Sequence, residues 1–197
     1  MNDPLVRPDD YTKVLDLAPL YPAPQQPLEV DVGCGKGRFL CARAQRLSNV
    51  NFLGIDRMMS RLLKLEKKLR RLRLHNARLL HLEASYIVAY MLPPESVSMF
   101  HVFFPDPWPK RRHRRRRLFS EAFLAALHRV LVPGGRINIA TDHADYFEEI
   151  QKLMHADPRY REAPPFEPLA EERTDFEMIF TTKGVRIGRS SFEKKEA

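Results

Sequence analysis

The chain has 197 residues and a formal net charge of +8, with 33 Lys and Arg residues against 25 Asp and Glu residues. This length suits one domain, and 44% apolar with 29% charged residues is typical of a soluble globular protein. No apolar run approaches the roughly 18 residues of a membrane helix, and the start lacks the features of a signal peptide. The two cysteines, Cys34 and Cys41, are too few and too awkwardly spaced for a structural zinc site or a disulfide framework. We therefore expect a cytoplasmic, reduced protein without a metal.

Predicted strands and helices alternate along most of the chain. Residues 1–27 are rich in proline and poor in pattern, and are interpreted as an N-terminal arm or an irregular cover. The five segments that predict strands are 28–32, 51–55, 79–82, 97–104 and 136–140. The segments that predict helices are 38–47, 58–74, a short one after Glu83, 118–131 and 143–154. Residues 158–168 are again rich in proline and are predicted to be irregular.

The C-terminal part predicts one more helix and one more strand. Thr174-Asp175-Phe176-Glu177 has the form of a capping box, so a short helix should follow and run to Lys183, with a last strand over 185–192. Five rounds of strand and helix predict a single α/β domain, residues 28–197, built on a doubly wound, mostly parallel sheet.

Four acidic residues follow or end the predicted strands: Asp31, Asp56, Glu83 and Asp106. In doubly wound sheets, ligands bind beyond the carboxyl ends of the strands, near the point where the strand order reverses. Any one of these acids would usually be read as a helix cap or a solvated loop end. Four of them at successive strand ends instead predict a ligand site on one rim of the sheet.

The loop after the first predicted strand contains Gly33, Gly35 and Gly37, and glycine allows a tight turn and a close approach to a ligand. Arg38 stands where a dinucleotide-binding loop would have its last glycine, and the P-loop pattern is also absent. Asp31 would repel a pyrophosphate.

The acidic rim therefore favours S-adenosylmethionine, a phosphate-free cofactor whose sulfonium and amino groups are cationic. Asp56 is suited to ribose hydroxyl groups, and Glu83 to the adenine amino group or its neighbourhood.

The positive charge is concentrated in two blocks. Residues 57–73 contain eight cations and one acid, and residues 110–117 contain seven cations, which together carry +14 and leave −6 for the rest of the chain. A solubilising surface is the ordinary interpretation of one charged run. Two blocks of one sign in a small domain favour a nucleic-acid partner.

The chain resembles the tRNA (guanine-N7-)-methyltransferase family, bacterial type, whose members modify the guanine at position 46 in the variable loop. The residues that carry this resemblance are 30–37, 53–56, 104–113, 139–142 and 174–177. The segment 104–113 is highly specific, whereas the glycine loop is shared by most class I methyltransferases. The resemblance implies a Rossmann-like fold that uses S-adenosylmethionine as cofactor and tRNA as substrate.

The resemblance also implies site residues. Those implied for the cofactor are Asp31, Gly33, Gly35, Gly37, Asp56, Glu83 and Asp106. Those implied for tRNA or guanine are Lys110, Asp142, Thr174, Asp175, Phe176 and Glu177. The family usually has glutamate at positions 31 and 56 and aspartate at position 83. This chain therefore keeps the negative charge at each position, while the length of each side chain differs by one methylene group. The N-terminal arm is shorter than usual in the family.

Guanine N7 already has a lone pair, so its methylation needs positioning and no general base. Asp106 is our first choice for the catalytic carboxylate that stabilises positive charge on the purine, and Asp142 is the second. Trp108 either stacks on the base or packs in the fold, while Lys110 and the arginines after it should bind phosphates.

Two alternative functions are considered from the sequence. One is methylation of an exocyclic base amino group, and the other is a non-catalytic RNA-binding subunit with a methyltransferase-like fold. A monomer and a homodimer are both compatible with the sequence.

Overall fold

The structure is a computed structural model that describes residues 3–196. Within these residues, eight strands form one sheet: β1 (Leu5–Val6), β2 (Leu28–Val32), β3 (Asn51–Asp56), β4 (Ala77–His81), β5 (Val97–Phe103), β6 (Leu131–Thr141), β7 (Tyr160–Ala163) and β8 (Gly188–Lys194). The α-helices are α1 (Arg38–Arg46), α2 (Met59–Arg71), α3 (Ala84–Tyr86, continued by a π-helical turn over Ile87–Met91), α4 (Glu121–Val130), α5 (Ala144–Ala156) and α6 (Asp175–Thr182).

The strand order is β1-β4-β3-β2-β5-β6-β8-β7. The strands from β1 to β6 in this order are parallel, and β8 and β7 complete the sheet in antiparallel pairing. The predicted doubly wound, mostly parallel sheet is therefore confirmed. The order reverses between β2 and β5, which places a crevice at their carboxyl ends.

Helices cover both faces of the sheet, as its central strands require. Every residue of β2 and β3 is buried, which is typical of parallel strands between two helical layers. On one face Leu40 of α1 and Leu65 of α2 belong to one buried apolar cluster, and on the other Leu127 of α4 and Ile150 of α5 belong to a second. Leu62, Leu65 and Leu69 are the buried residues of α2, and their three- and four-residue spacing is that of an amphipathic helix.

The prediction that residues 158–168 are irregular is wrong, because β7 (Tyr160–Ala163) pairs with β8 at the edge of the sheet. Pro158 precedes the strand and Pro164 follows it, so these prolines bound the strand without interrupting its hydrogen bonds. The N-terminal segment is mostly irregular but adds β1 beside β4, where Leu5 is buried.

A buried polar network crosses the centre of the sheet. Glu29 of β2 accepts hydrogen bonds from Arg43 at 2.5 and 3.0 Å and from His101 Nε2 at 2.9 Å. Burial opposes ionisation of Glu29, but His101 and the Arg43 guanidinium outweigh it and hold the pKa of Glu29 at about 2. His101 is fully buried, and its hydrogen bond with Glu29 satisfies it within the core. Glu172 also binds Arg43, which ties the segment before α6 to α1.

Candidate active site

A cavity of about 920 Å³ lies at the carboxyl ends of the central strands. Five of the residues predicted for the site line it: Gly33, Asp56, Glu83, Asp106 and Phe176. The others lie outside its lining: Asp31, Gly35, Gly37, Lys110, Asp142, Thr174, Asp175 and Glu177. The strand ends therefore bring three of the four rim acids to one cavity.

The three glycines of the loop after β2 have positive φ angles of 76°, 55° and 66° but different surroundings. A Cβ on Gly33 would meet no atom within 4 Å, so its backbone faces open space at the cavity. A Cβ on Gly37 would lie 2.3 Å from a Leu65 methyl group. Gly37 thus permits the packing of α1 on α2, whereas Gly33 leaves room for a ligand.

Asp56, the last residue of β3, fixes the glycine loop. Its carboxylate accepts hydrogen bonds from the amides of Gly35 at 2.9 Å and Met58 at 2.7 Å, and Arg61 lies 3.9 Å away. Each carboxylate oxygen has a second lone pair, so Asp56 retains capacity to accept from a diol in the cavity. Glu83 is exposed at the start of α3, on the same cavity wall.

Asp31 lies behind the loop near Asp56 and is 5% exposed. Burial, followed by the negative charge of Asp56, raises the pKa of Asp31 to about 7. A cation bound in front of the loop would favour the ionised form of this carboxyl. The two carboxyl groups therefore make the region next to Gly33 favourable for a positively charged ligand group.

The loop after β5 has an unusual backbone at both ends. Phe104 and Trp108 have φ angles of 53° and 41°, in the left-handed region that residues other than glycine rarely adopt. Such residues cost of order 1–3 kcal/mol each and persist where neighbouring structure fixes them. The Phe104 amide donates to Ala140 at 2.7 Å, and Arg117 Nε donates to the Pro107 carbonyl at 2.8 Å. These two hydrogen bonds fix both ends of the loop.

The prediction that all the arginines of 111–117 bind phosphates is wrong for Arg117. Its side chain is 2% exposed, forms an ion pair with Glu149 and lies 4.6 Å from the Tyr146 ring centroid. Arg117 therefore anchors the loop from within. Lys110 and Arg111, Arg112, Arg114, Arg115 and Arg116 are exposed on the surface beside the cavity.

Asp106 projects from the loop into the cavity and has a partner that was not predicted from the sequence. Its carboxylate is 3.0 Å from Arg57, and the side chains of Asp106 and Arg57 are 64% and 60% exposed. An exposed ion pair of this kind contributes about 0–1 kcal/mol, so a ligand can displace it. The sequence feature that could have indicated this ion pair is the position of Arg57 directly after Asp56, beyond the end of a predicted strand.

Trp108 lines the cavity and is half-buried. The Arg116 guanidinium lies 4.9 Å from its ring centroid, and His113 meets it edge-on at 5.9 Å. Trp108 therefore packs with the basic turn, the 3₁₀ helix Arg111–Arg116, and also contributes to the cavity wall. His113 therefore packs against Trp108.

The segment 174–177 shapes the opposite wall. The Thr174 hydroxyl accepts from the Glu177 amide at 3.0 Å, which confirms the predicted helix cap. The Glu177 carboxylate does not complete the capping box; it is buried and pairs with Arg189 at 2.5 Å, and burial raises its pKa. Phe176 is 51% exposed, lines the cavity and packs against Phe104 with ring centroids 6.1 Å apart.

Comparison with known proteins identifies the class and the family. A family model described as "Putative methyltransferase" matches residues 25–196. The structure is similar to that of the 16S rRNA methyltransferase KamB, with a TM-score of 0.66, 17% identity and 91% of each chain covered. The fold and the acidic rim thus define a class I S-adenosylmethionine-dependent methyltransferase.

Among curated proteins, a tRNA (guanine-N(7)-)-methyltransferase of Rubrobacter xylanophilus is 35% identical over 84% of this chain and 75% of its own length. That of Nitrosospira multiformis is 32% identical over 92% of this chain and 78% of its own length. The chain belongs to the tRNA (guanine-N7-)-methyltransferase family. Across residues 3–196, no helix could cross a membrane and no cluster of His, Cys, Asp and Glu could hold a metal ion.

Proposed function

We propose that this protein transfers the methyl group of S-adenosylmethionine to N7 of guanine 46 in the variable loop of tRNA. One observation carries the proposal: the cavity that Gly33, Asp56 and Glu83 line also contains Asp106, and an exposed basic turn begins beside it. A cationic cofactor and a nucleic-acid base can therefore meet at Asp106. This juxtaposition favours neither a non-catalytic RNA-binding subunit nor a site for exocyclic amino groups.

The residues fit the cofactor. Open space at Gly33 admits a ligand close to the backbone, Asp56 has lone pairs for ribose hydroxyls, and Glu83 can accept from the adenine edge. When bound, S-adenosylmethionine supplies an electrophilic methyl group on a positively charged sulfur. Asp31 and Asp56 place negative charge near that region, and we assign all the predicted rim residues to cofactor binding on this basis.

Asp106 acts as the catalytic carboxylate. Guanine N7 is a lone-pair acceptor, so no group has to remove a proton before the methyl group is transferred. Positive charge develops on the purine during transfer, and a carboxylate that accepts from the guanine N1–H and 2-amino group stabilises it. Base binding replaces the contact between Asp106 and Arg57. Asp142 is half-buried outside the cavity lining, which favours Asp106 over Asp142.

The RNA backbone is bound by the basic surface around the cavity. Lys110 and the exposed arginines after it lie beside Asp106, and Phe176 offers an aromatic wall on the other side. Thr174, Asp175 and Glu177 act by holding α6, and hence Phe176, in place. Each phosphate contact should add about one unit to the salt dependence of binding.

The remaining assignments follow from this proposal. We assign residues 28–197 to the methyltransferase domain and residues 1–27 to an arm that covers it. Action on tRNA implies a cytoplasmic location. The chain then acts either as a monomer or as a homodimer.

The test is to incubate the protein with unmodified tRNA and labelled S-adenosylmethionine and to map the product by borohydride and aniline cleavage. We expect label in tRNA and cleavage at the variable-loop guanine. A transcript with adenine at that position is the matched control and should accept no label. Label without cleavage at that guanine would refute the assignment of N7.

A further inference from the structure

A second cavity lies at the far end of α2 from the active site. Its volume is about 490 Å³, and the basic residues that line it are Arg70, Arg73, His75 and Arg78. The 13 residues of α2 span about 20 Å from the active-site end to this end. β4 begins here and ends at the active-site rim, so the two cavities lie at opposite ends of the same strand and helix.

Arg78 is a buried cation that lines this cavity; its guanidinium lies 5.3 Å from the Tyr21 ring centroid, and no described carboxylate lies within ion-pair distance of it. It is 4% exposed, and its Nη1 donates to the carbonyls of His75 at 3.1 Å and Ala77 at 2.8 Å. Its Nε is buried and has no hydrogen-bond partner, and no carboxylate within residues 3–196 forms an ion pair with it. Buried charges are normally paired, so an anion would satisfy this group.

Arg73 adds an independent observation. It has a φ angle of 54° at the end of α2, and the Leu74 amide donates to the Leu69 carbonyl at 3.1 Å. Glycine is the usual residue at this position of a helix end. An arginine kept in a strained backbone conformation, with its side chain at the cavity, indicates a function for that side chain.

The acids near this cavity do not neutralise it. Asp3 and Glu66 lie 3.0 and 3.1 Å from Arg70, and Asp3 also pairs with Arg7. These contacts pair both carboxylates with Arg70, which lines the cavity, and Asp3 also with Arg7, which does not. Arg73 and Arg78 form no ion pair with any described carboxylate, so the cavity keeps a net positive charge.

We propose that this cavity binds a phosphate group, and that its occupant is a backbone phosphate of the tRNA substrate. Guanidinium groups match phosphate oxygens with paired hydrogen bonds. The exposed cations Arg61, Lys64 and Lys67 of α2 line the route from the active site to this cavity. The identity of the occupant rests on the proposed function, whereas phosphate binding itself does not.

The first experiment uses inorganic phosphate as the probe and thermal unfolding at constant ionic strength as the measurement. Arg73→Gly removes the cation and relaxes the backbone, so the variant should fold. We expect its phosphate affinity to fall roughly tenfold relative to the wild type, as for loss of one charged hydrogen-bond donor. Arg71→Ala, an equal charge change outside the cavity lining, should keep the wild-type response. An unchanged response in Arg73→Gly would overturn the proposal.

The second experiment measures tRNA binding against salt concentration. Arg73→Gly should lower the salt slope by about one unit, while Lys152→Ala on the exposed face of α5 should leave it unchanged. Loss of phosphate binding with an unchanged tRNA slope would overturn tRNA as the occupant. Failure of the proposed function would appear separately, as the absence of methyl transfer by the wild type.

Discussion

Replacing Asp31 by asparagine should stabilise the protein while weakening cofactor binding. Burial and the charge of Asp56 raise the pKa of Asp31 from 3.8 to about 7 in the folded chain. Because the folded-state pKa lies above the unfolded one, ionisation of this group destabilises the fold as pH rises from about 4 to about 7. About three pKa units at 1.36 kcal/mol each give a penalty of up to about 4 kcal/mol at pH 8.

The asparagine side chain has nearly the same shape and no charge, so Asp31→Asn removes this penalty. We expect a gain of up to about 4 kcal/mol in the free energy of unfolding at pH 8 and roughly 2 kcal/mol at pH 5. Each kcal/mol should raise the Tm by about 2–4 °C in a domain of this size. Urea unfolding of the cofactor-free protein at both pH values measures the effect, with Glu148→Gln as an exposed control.

A destabilised Asp31→Asn, or an equal gain at both pH values, would refute this reasoning. The same variant should bind S-adenosylmethionine at least about tenfold more weakly at pH 8, because the neutral amide no longer attracts the cationic cofactor. Wild-type affinity should also fall as pH drops below about 7, where Asp31 becomes protonated. Calorimetric titration across this pH range tests both statements.

Three further predictions concern the catalytic carboxylate, the arginine run and the glycine loop. Asp106→Ala should lower kcat by about 10²-fold or more and change cofactor affinity little, which single-turnover kinetics and calorimetry separate; equal losses in both would argue against the catalytic role. Arg117→Ala should cost about 1–3 kcal/mol in unfolding and leave the salt slope of tRNA binding unchanged, whereas Arg111→Ala should lower that slope by about one unit without affecting stability. Gly37→Ala and Gly33→Ala should each destabilise by about 1–3 kcal/mol, because both positions have positive φ angles that alanine rarely adopts. The loss should be larger for Gly37→Ala, whose methyl group meets Leu65 of α2, while Gly33→Ala should also weaken cofactor binding; the reverse order in urea unfolding, or an unchanged cofactor affinity of Gly33→Ala in calorimetry, would contradict the geometry.

The fold was predictable from local sequence signals. The five central strands are apolar runs because parallel strands are buried on both faces, and the leucine spacing of α2 marks its buried side. Thr174 indicated a helix start through its hydroxyl group. β7 was missed because the flanking prolines suggested irregular backbone, although they lie just outside the strand.

The site was only partly predictable, because several side chains take their roles from distant residues. Arg117 looks like its neighbours in the basic run, and its burial depends on Glu149 and Tyr146 of α5. The ion pair between Arg57 and Asp106 joins two loops that only the strand order brings together. Sequence separation hides such contacts, while strand ends and glycine turns are visible locally.

The central claim is that Asp106 and the cofactor cavity act together on guanine N7. The most direct measurement is single-turnover methyl transfer to a tRNA that carries 7-deazaguanine at position 46, compared with the same tRNA carrying guanine. The account predicts no methyl transfer to the 7-deaza tRNA, with tRNA affinity unchanged within about threefold. Methyl transfer to the 7-deaza tRNA at the same position would contradict it.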